Sequence, residues 1–439
     1  MAAAAGVALI APASASAQEP YAVSVFSRVP DPGQPEGIAV APDGTVYVGT
    51  NNAGDGTRSP KQPSKIFAYD ENGALKREYV VTGQDTSNNL YGVYGLATDL
   101  GGNVYFADRV PARIVKLDPI GGAQSDYARF PDLKPCSAGV GEPCSRTTGD
   151  QPPFPNSLAW GPANSLYVTD GAQAGIWRIL PGGGEPTLVR SDPLLEAPVA
   201  GPNGIVVDPD GKTMAFAQSN FPPGPTPEYA NGRIYRLPLS GDGALKLVWE
   251  GRPFDVPDGI ALARSGNIWV ALAGPDQVGV IEPSGREIAR VPQSMTQNSQ
   301  QEIPFDKPAS VAFLGNRVLV TNQSLFNRNP QNWAVLAVAA GEPGVKPFGP
   351  GGKLKIKVTP RRVRAGLARF GFKVTGPDGR GVGGARIAVG RARTGTNIAG
   401  NGKMQVRLRV TGRRKVVATA PGYERATASY RVLPARRRR

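Results

Sequence analysis

One phrase recurs six times in this 439-residue chain: a small pair, an alternating apolar strand, a turn rich in Gly or Asn, and a second alternating strand. The copies read EGIAVAPDGTVYVGT (36–50), YGLATDLGGNVYFAD (94–108), NSLAWGPANSLYVTD (156–170), NGIVVDPDGKTMAFA (203–217), DGIALARSGNIWVAL (258–272) and ASVAFLGNRVLVTN (309–322). Their starts lie 58, 62, 47, 55 and 51 residues apart. Period-two alternation around such turns specifies antiparallel hairpins. Most copies are followed by a third strand, such as KIFAYDENG (65–73) or GIWRILPGG (175–183). Small sheets repeated at this interval cover one another's faces when they close into a ring, which also removes most exposed edges. The chain is therefore predicted to be all-β, with a six-bladed β-propeller over residues 18–344. The segment YAVSVFSRV (21–29) should close the ring by pairing with the last copy. A Pro/Gly linker at 345–352 leads to further short strands, KLKIKVTP to ATASYRVL, which predict a small Ig-like β-sandwich over 353–434.

Ring closure turns a sequence register into a place. The inner strand of every blade runs beside the central channel, so equivalent positions of successive copies gather around one axis. The residues that open the phrases are Glu36, Tyr94, Asn156, Asn203, Asp258 and Ala309. Four of them carry carboxylate or amide oxygens at the head of an otherwise apolar strand. Two carboxylates and two neutral amides suit a divalent hard cation, calcium first and magnesium next. Turn chemistry is the plainer explanation for Asn and Asp at strand starts, but it does not call for Glu36 and Asp258 in the same register. The chain has no histidine, which excludes Ser-His-Asp, Cys-His and HExxH chemistry. Asp208-Pro209-Asp210-Gly211 lacks the later glutamate of an EF-hand loop and is assigned to a hairpin turn.

Several of these phrases resemble the SMP-30/gluconolactonase/LRE family of six-bladed propellers. GPNGIVVDPDGKTM and VPDGIALARSGNIWVA carry the resemblance, EGIAVAPDG is similar to the family's opening glutamate motif, and PNSLAW to its third-blade asparagine motif. The resemblance implies a divalent metal held by Glu36, Asn203 and Asp258: calcium first, with magnesium, manganese or zinc as alternatives. It implies Asp258 as ligand and general base of a lactone or ester hydrolase, and Asn156 beside the metal-bound water or substrate. The family's sugar-lactone enzymes place an Arg two residues before that asparagine, where this chain has Phe154. Phe154 and Tyr94 should make the substrate side of the mouth apolar and aromatic, which argues against gluconolactone itself. The repeats also resemble the looser NHL propellers, so the alternative is a non-catalytic propeller that binds a glycan, peptide or small ligand.

Residues 2–11, AAAAGVALIA, followed by Ala15-Ser16-Ala17, read as a signal peptide over 1–17 and bacterial-type export to the envelope or medium; a disordered Ala-rich leader is the alternative. No other segment is apolar enough to span a membrane. Cys136 and Cys144 bracket a short Gly-rich loop and, with export, read as a local disulfide, with a reactive thiol as the alternative. Charge is divided sharply: residues 351–439 hold 24 basic and 2 acidic side chains, ending in a basic tail at 435–439. Such a field attracts polyanions without sequence preference. With few aromatics for base stacking, an anionic cell-envelope polymer is expected rather than specific nucleic acid.

Overall fold

The computed structural model describes residues 19–435 apart from 52–61, 88, 138, 222–230, 378, 398 and 421–422. The expected signal peptide and the last four residues of the basic tail lie outside the described residues. Six four-stranded antiparallel sheets follow the six sequence phrases. The innermost strands are Pro35–Val40, Val93–Thr98, Pro155–Trp160, Ala200–Val207, Pro257–Leu262 and Pro308–Leu314. Each packs beside the innermost strand of the next blade, and the sixth returns to the first. Blade 6 takes its outermost strand from the chain's start: Val23–Arg28 pairs antiparallel with Ala334–Ala339. The ring is thus tied shut by a hairpin-free pairing of residues more than 300 positions apart.

The cores lie between blades. Phe67, Tyr69, Val46 and Val48 of blade 1 pack on Leu319, Val335 and Ala337 of blade 6, and comparable clusters fill the other blade junctions. Alternation explains this, since the two faces of a pleated strand meet different neighbours. The polar run QSMTQNSQQ contains a five-residue helix, Met295–Ser299. Ser294 starts it by accepting a hydrogen bond from the Gln297 N–H, a cap too local to show in an apolar period.

The repeated small pair has a packing reason. A Cβ on Gly37 would lie 2.0 Å from the carbonyl oxygen of Tyr94, and one on Gly95 2.4 Å from that of Asn156. A Cβ on Gly204 would sit 2.6 Å from the carbonyl of Asp258, and one on Gly259 2.9 Å from that of Ala309. In these four blades the glycine after the opening residue lets one inner strand rest on the next blade's opening residue; Ser157 and Ser310 hold the position in the other two. Hydroxyls complete the ring: Thr169 donates to the Asn203 carbonyl at 2.8 Å and Thr321 to that of Glu36 at 2.6 Å.

Residues 355–433 form two further sheets, one of three strands and one of five. Among the described residues this unit has eight strands. They include Arg362–Arg364 and Ala392–Gly395, too short to carry a visible alternation. Phe370, Phe372, Tyr430 and Val416 fill the core of this unit. It rests on the propeller through Tyr423, whose hydroxyl donates to Asn164 Oδ1 at 3.1 Å and to the Gly349 carbonyl at 3.0 Å. Among the described residues no helix is long and apolar enough to cross a membrane.

Candidate functional site

The opening residues of five copies line a single cavity of about 380 Å³ at one end of the channel: Glu36, Tyr94, Asn156, Asn203 and Asp258. Phe154 lines it too. Ala309, the sixth opening residue, is buried and lines none of it. Five of the six residues picked out by register alone, scattered over more than 200 positions, therefore line one cavity.

Each polar group is held by its own blade or the next. Glu36 of blade 1 accepts a hydrogen bond from Gln323 Nε2 of blade 6. Asn203 donates to Ser219 Oγ at 3.0 Å, and Ser219 donates in turn to the Pro257 carbonyl at 2.7 Å, beside Asp258. The Asn203 amide also donates to Asp258, so its Oδ1 is the atom left to accept or to ligate. The approach to Asp258 is pinned from outside the ring. Asp255 accepts the Arg252 N–H at 2.6 Å and two N–H groups of Arg290 at 2.7 Å each.

Burial dominates the electrostatics. It pushes Glu36 well above the ordinary carboxylate range, and the neighbouring Asp258 charge pushes it further, against hydrogen bonds from Asn51 and Gln323. Burial likewise raises Asp258, to about 7, while hydrogen bonds from Asn203 and the Gly259 N–H act the other way. The two acids repel, and among the described residues no basic side chain is one of the groups that act on them. A charge in such a place needs a counterion or a proton. The donor set fits a hard divalent cation: carboxylate and amide oxygens only, with room in the cavity for water. Zinc fits poorly. Among the described residues the one grouping of three Cys, His or acidic ligands is Cys136, Glu142 and Cys144, and its two sulfurs are bonded to each other.

The opposite wall is aromatic. Tyr94 and Phe154 meet edge to face with centroids 4.6 Å apart, and with Ala172 and Ala200 they form a small cluster separate from the blade cores. Asp170 fixes this corner by accepting the Phe154 N–H at 2.9 Å and the Gln173 N–H at 3.0 Å.

Register at the opening position missed Asn51, Arg109 and Gln323, which also line the cavity. A signal for them exists. Each is the residue that immediately follows its phrase, and a hairpin's second strand returns to the end where its first began.

Residues 182–321 match the SMP-30/Gluconolactonase/LRE-like region. That SMP-30/gluconolactonase-like stretch runs from the outer part of blade 3 into blade 6 and holds Asn203 and Asp258, while Glu36 and Asn156 precede it. Two solved structures share the propeller fold. One is a calcium-binding protein, regucalcin, from Agrobacterium tumefaciens str. C58, with 19% identity and a TM-score of 0.50 over 75% of this chain and 97% of that one. The other is a candidate gluconolactonase, with 14% identity and a TM-score of 0.51 over 75% of this chain and 95% of that one. No curated protein matches the chain.

Proposed function

We propose that this propeller hydrolyses a lactone or related ester in the cavity at the channel end, with a divalent cation, calcium first, held by Glu36, Asn203 and Asp258. The observation that carries the reading is a pair of carboxylates from blades 1 and 5, Glu36 buried and Asp258 partly exposed to the cavity, beside an amide from blade 4, with no basic partner for either acid among the described residues. A cation bound there supplies polarisation of a carbonyl and a lower water pKa. Asp258, which faces the cavity, takes the proton of the attacking water. Asn156 orients water or substrate, and Tyr94 and Phe154 form the wall against which the substrate lies. Asp258→Asn keeps the shape and removes the base. Turnover across a panel of lactones and esters should fall by at least 10²-fold with an unchanged circular dichroism spectrum; wild-type turnover in that variant would refute the assignment.

The same proposal places the protein outside the cytoplasm, attached to an anionic envelope polymer by its C-terminal unit, read as Ig-like. Lys355, Lys357, Arg369, Lys373, Lys403 and Arg407 are all exposed on alternate positions of the three-stranded sheet. Lys357 stands directly opposite Lys373, and Arg362, Arg431 and Arg413 stand abreast in the other sheet. Like charges placed opposite one another cost stability, which a polyanion partner offsets. Retention on a polyphosphate resin should drop with salt and vanish in the Lys357→Glu, Lys373→Glu, Lys403→Glu triple variant. Salt-independent retention equal to wild type would refute it.

A further inference from the structure

We infer that the cavity takes an apolar substrate bearing a carboxylate, and that Arg109 receives that anion. The inference rests on the hydrolase reading for the word substrate, and on a separate set of residues for the ligand's chemistry. Arg109 follows the second strand of blade 2, Val104–Asp108. Its guanidinium lies 3.8 Å from the centroid of the Phe154 ring and 5.8 Å from that of Tyr94. Nη1 donates to the Tyr94 hydroxyl at 3.3 Å. A guanidinium has five N–H donors in a planar fork and keeps its charge. Lying over a ring leaves its edge available to a planar acceptor such as a carboxylate.

The contrast with other arginines is informative. Arg113, four positions on, is bound by Asp108 at 2.9 Å and Asp126 at 2.8 Å. Arg290 is bound by Asp255 and Glu287, each at 2.7 Å. Among the described residues Arg109 has no carboxylate partner, although it is half-buried against two aromatic rings on the cavity wall. Cation–π contact compensates part of that desolvation, and an incoming anion compensates the rest.

The remainder of the wall sets the apolar part. Tyr94, Phe154 and Ala200 line it, and the rim carries Leu90, Val199 and Phe326, which are 44%, 42% and 59% exposed. Large apolar side chains so exposed around one opening mark a binding surface. A polyhydroxylated ring pressed on such a wall would leave hydroxyls without partners, and each costs affinity.

Calorimetry on the full-length protein in chelator tests this without turnover and without a cation to capture the anion. The probes are 4-phenylbutyrate, its neutral isostere 4-phenylbutyramide, and gluconate. Phenylbutyrate should bind at least tenfold tighter than either of the others. Arg109→Gln should erase the preference for acid over amide, and Arg109→Lys should restore part of it. Equal binding of acid and amide, tighter binding of gluconate, or no binding of any probe overturns the inference. If Arg109→Gln fails to fold, the three wild-type affinities decide. Failure of the hydrolase reading is seen separately: undiminished turnover in Asp258→Asn defeats that reading whatever the probes do, whereas loss of the acid preference alone defeats only this one.

Discussion

Replacing Gly204 by alanine puts a methyl group between two inner strands, at the point where the second and third of the proposed metal ligands approach each other. The new Cβ would stand 2.5 Å from the Ile260 nitrogen, 2.6 Å from the Asp258 carbonyl oxygen and 2.7 Å from the Gly259 Cα. All three neighbours are backbone, so no side chain can swing aside. Normal contact requires the strands to part by roughly 1 Å. Overpacking of that kind costs about 1–3 kcal/mol, which for a large domain lowers the melting temperature by roughly 2–10 °C. It also moves Asn203 away from Asp258 by more than the narrow range of a calcium–oxygen distance tolerates, so calcium affinity should fall at least tenfold. Scanning calorimetry in chelator and calcium titration at 25 °C measure the two effects independently. Gly141→Ala is the control, because nothing lies within 4 Å of its Cβ. If Gly204→Ala matched the control in both stability and affinity, the argument that these glycines bring the opening residues together would be wrong.

The raised acids give a pH signature with a definite sign. Folding disfavours the charged form of Asp258, so the unfolded chain releases this proton first, and the group's contribution erodes as pH climbs from its ordinary value of 3.8 to about 7. In chelator, Asp258→Asn should therefore gain stability relative to wild type across that window; a constant difference from pH 4 to 8 would contradict the assigned burial. Calcium affinity should rise with pH as Asp258 and Glu36 lose their protons, and a pH-independent titration would contradict the competition between proton and cation. Asp255→Ala leaves the buried guanidinium of Arg290, whose side chain is 8% exposed, with Glu287 as its remaining carboxylate partner. A loss of about 1.5–3 kcal/mol is expected from urea unfolding, and a change under 1 kcal/mol would show that the pair does not anchor the approach to Asp258.

Much of the architecture was legible because the repeat is a physical requirement. A four-stranded blade has two apolar faces, so Val46, Val104, Leu166 and Ile268 recur in register where each blade meets its neighbours. The same regularity located Glu36, Tyr94, Asn156, Asn203 and Asp258, since an inner strand can put its opening residue only at the channel. Arg109 and Gln323 lie outside the opening register: they follow the hairpin's second strand, which returns to the same end, and their side chains reach the cavity from there. The guanidinium missing at Phe154 is present in space, supplied by Arg109 over that very ring. The basic unit was harder to read: strands of three and four residues such as Arg362–Arg364 owe their pairing to neighbours rather than to alternation.

Calcium titration of the full-length protein by calorimetry addresses the central claim most directly. One cation per chain should bind in wild type, with the heat abolished in both Glu36→Gln and Asp258→Asn while each variant stays folded. Wild-type protein that takes up no divalent cation, or a Glu36→Gln, Asp258→Asn double variant that binds as wild type does, would contradict it.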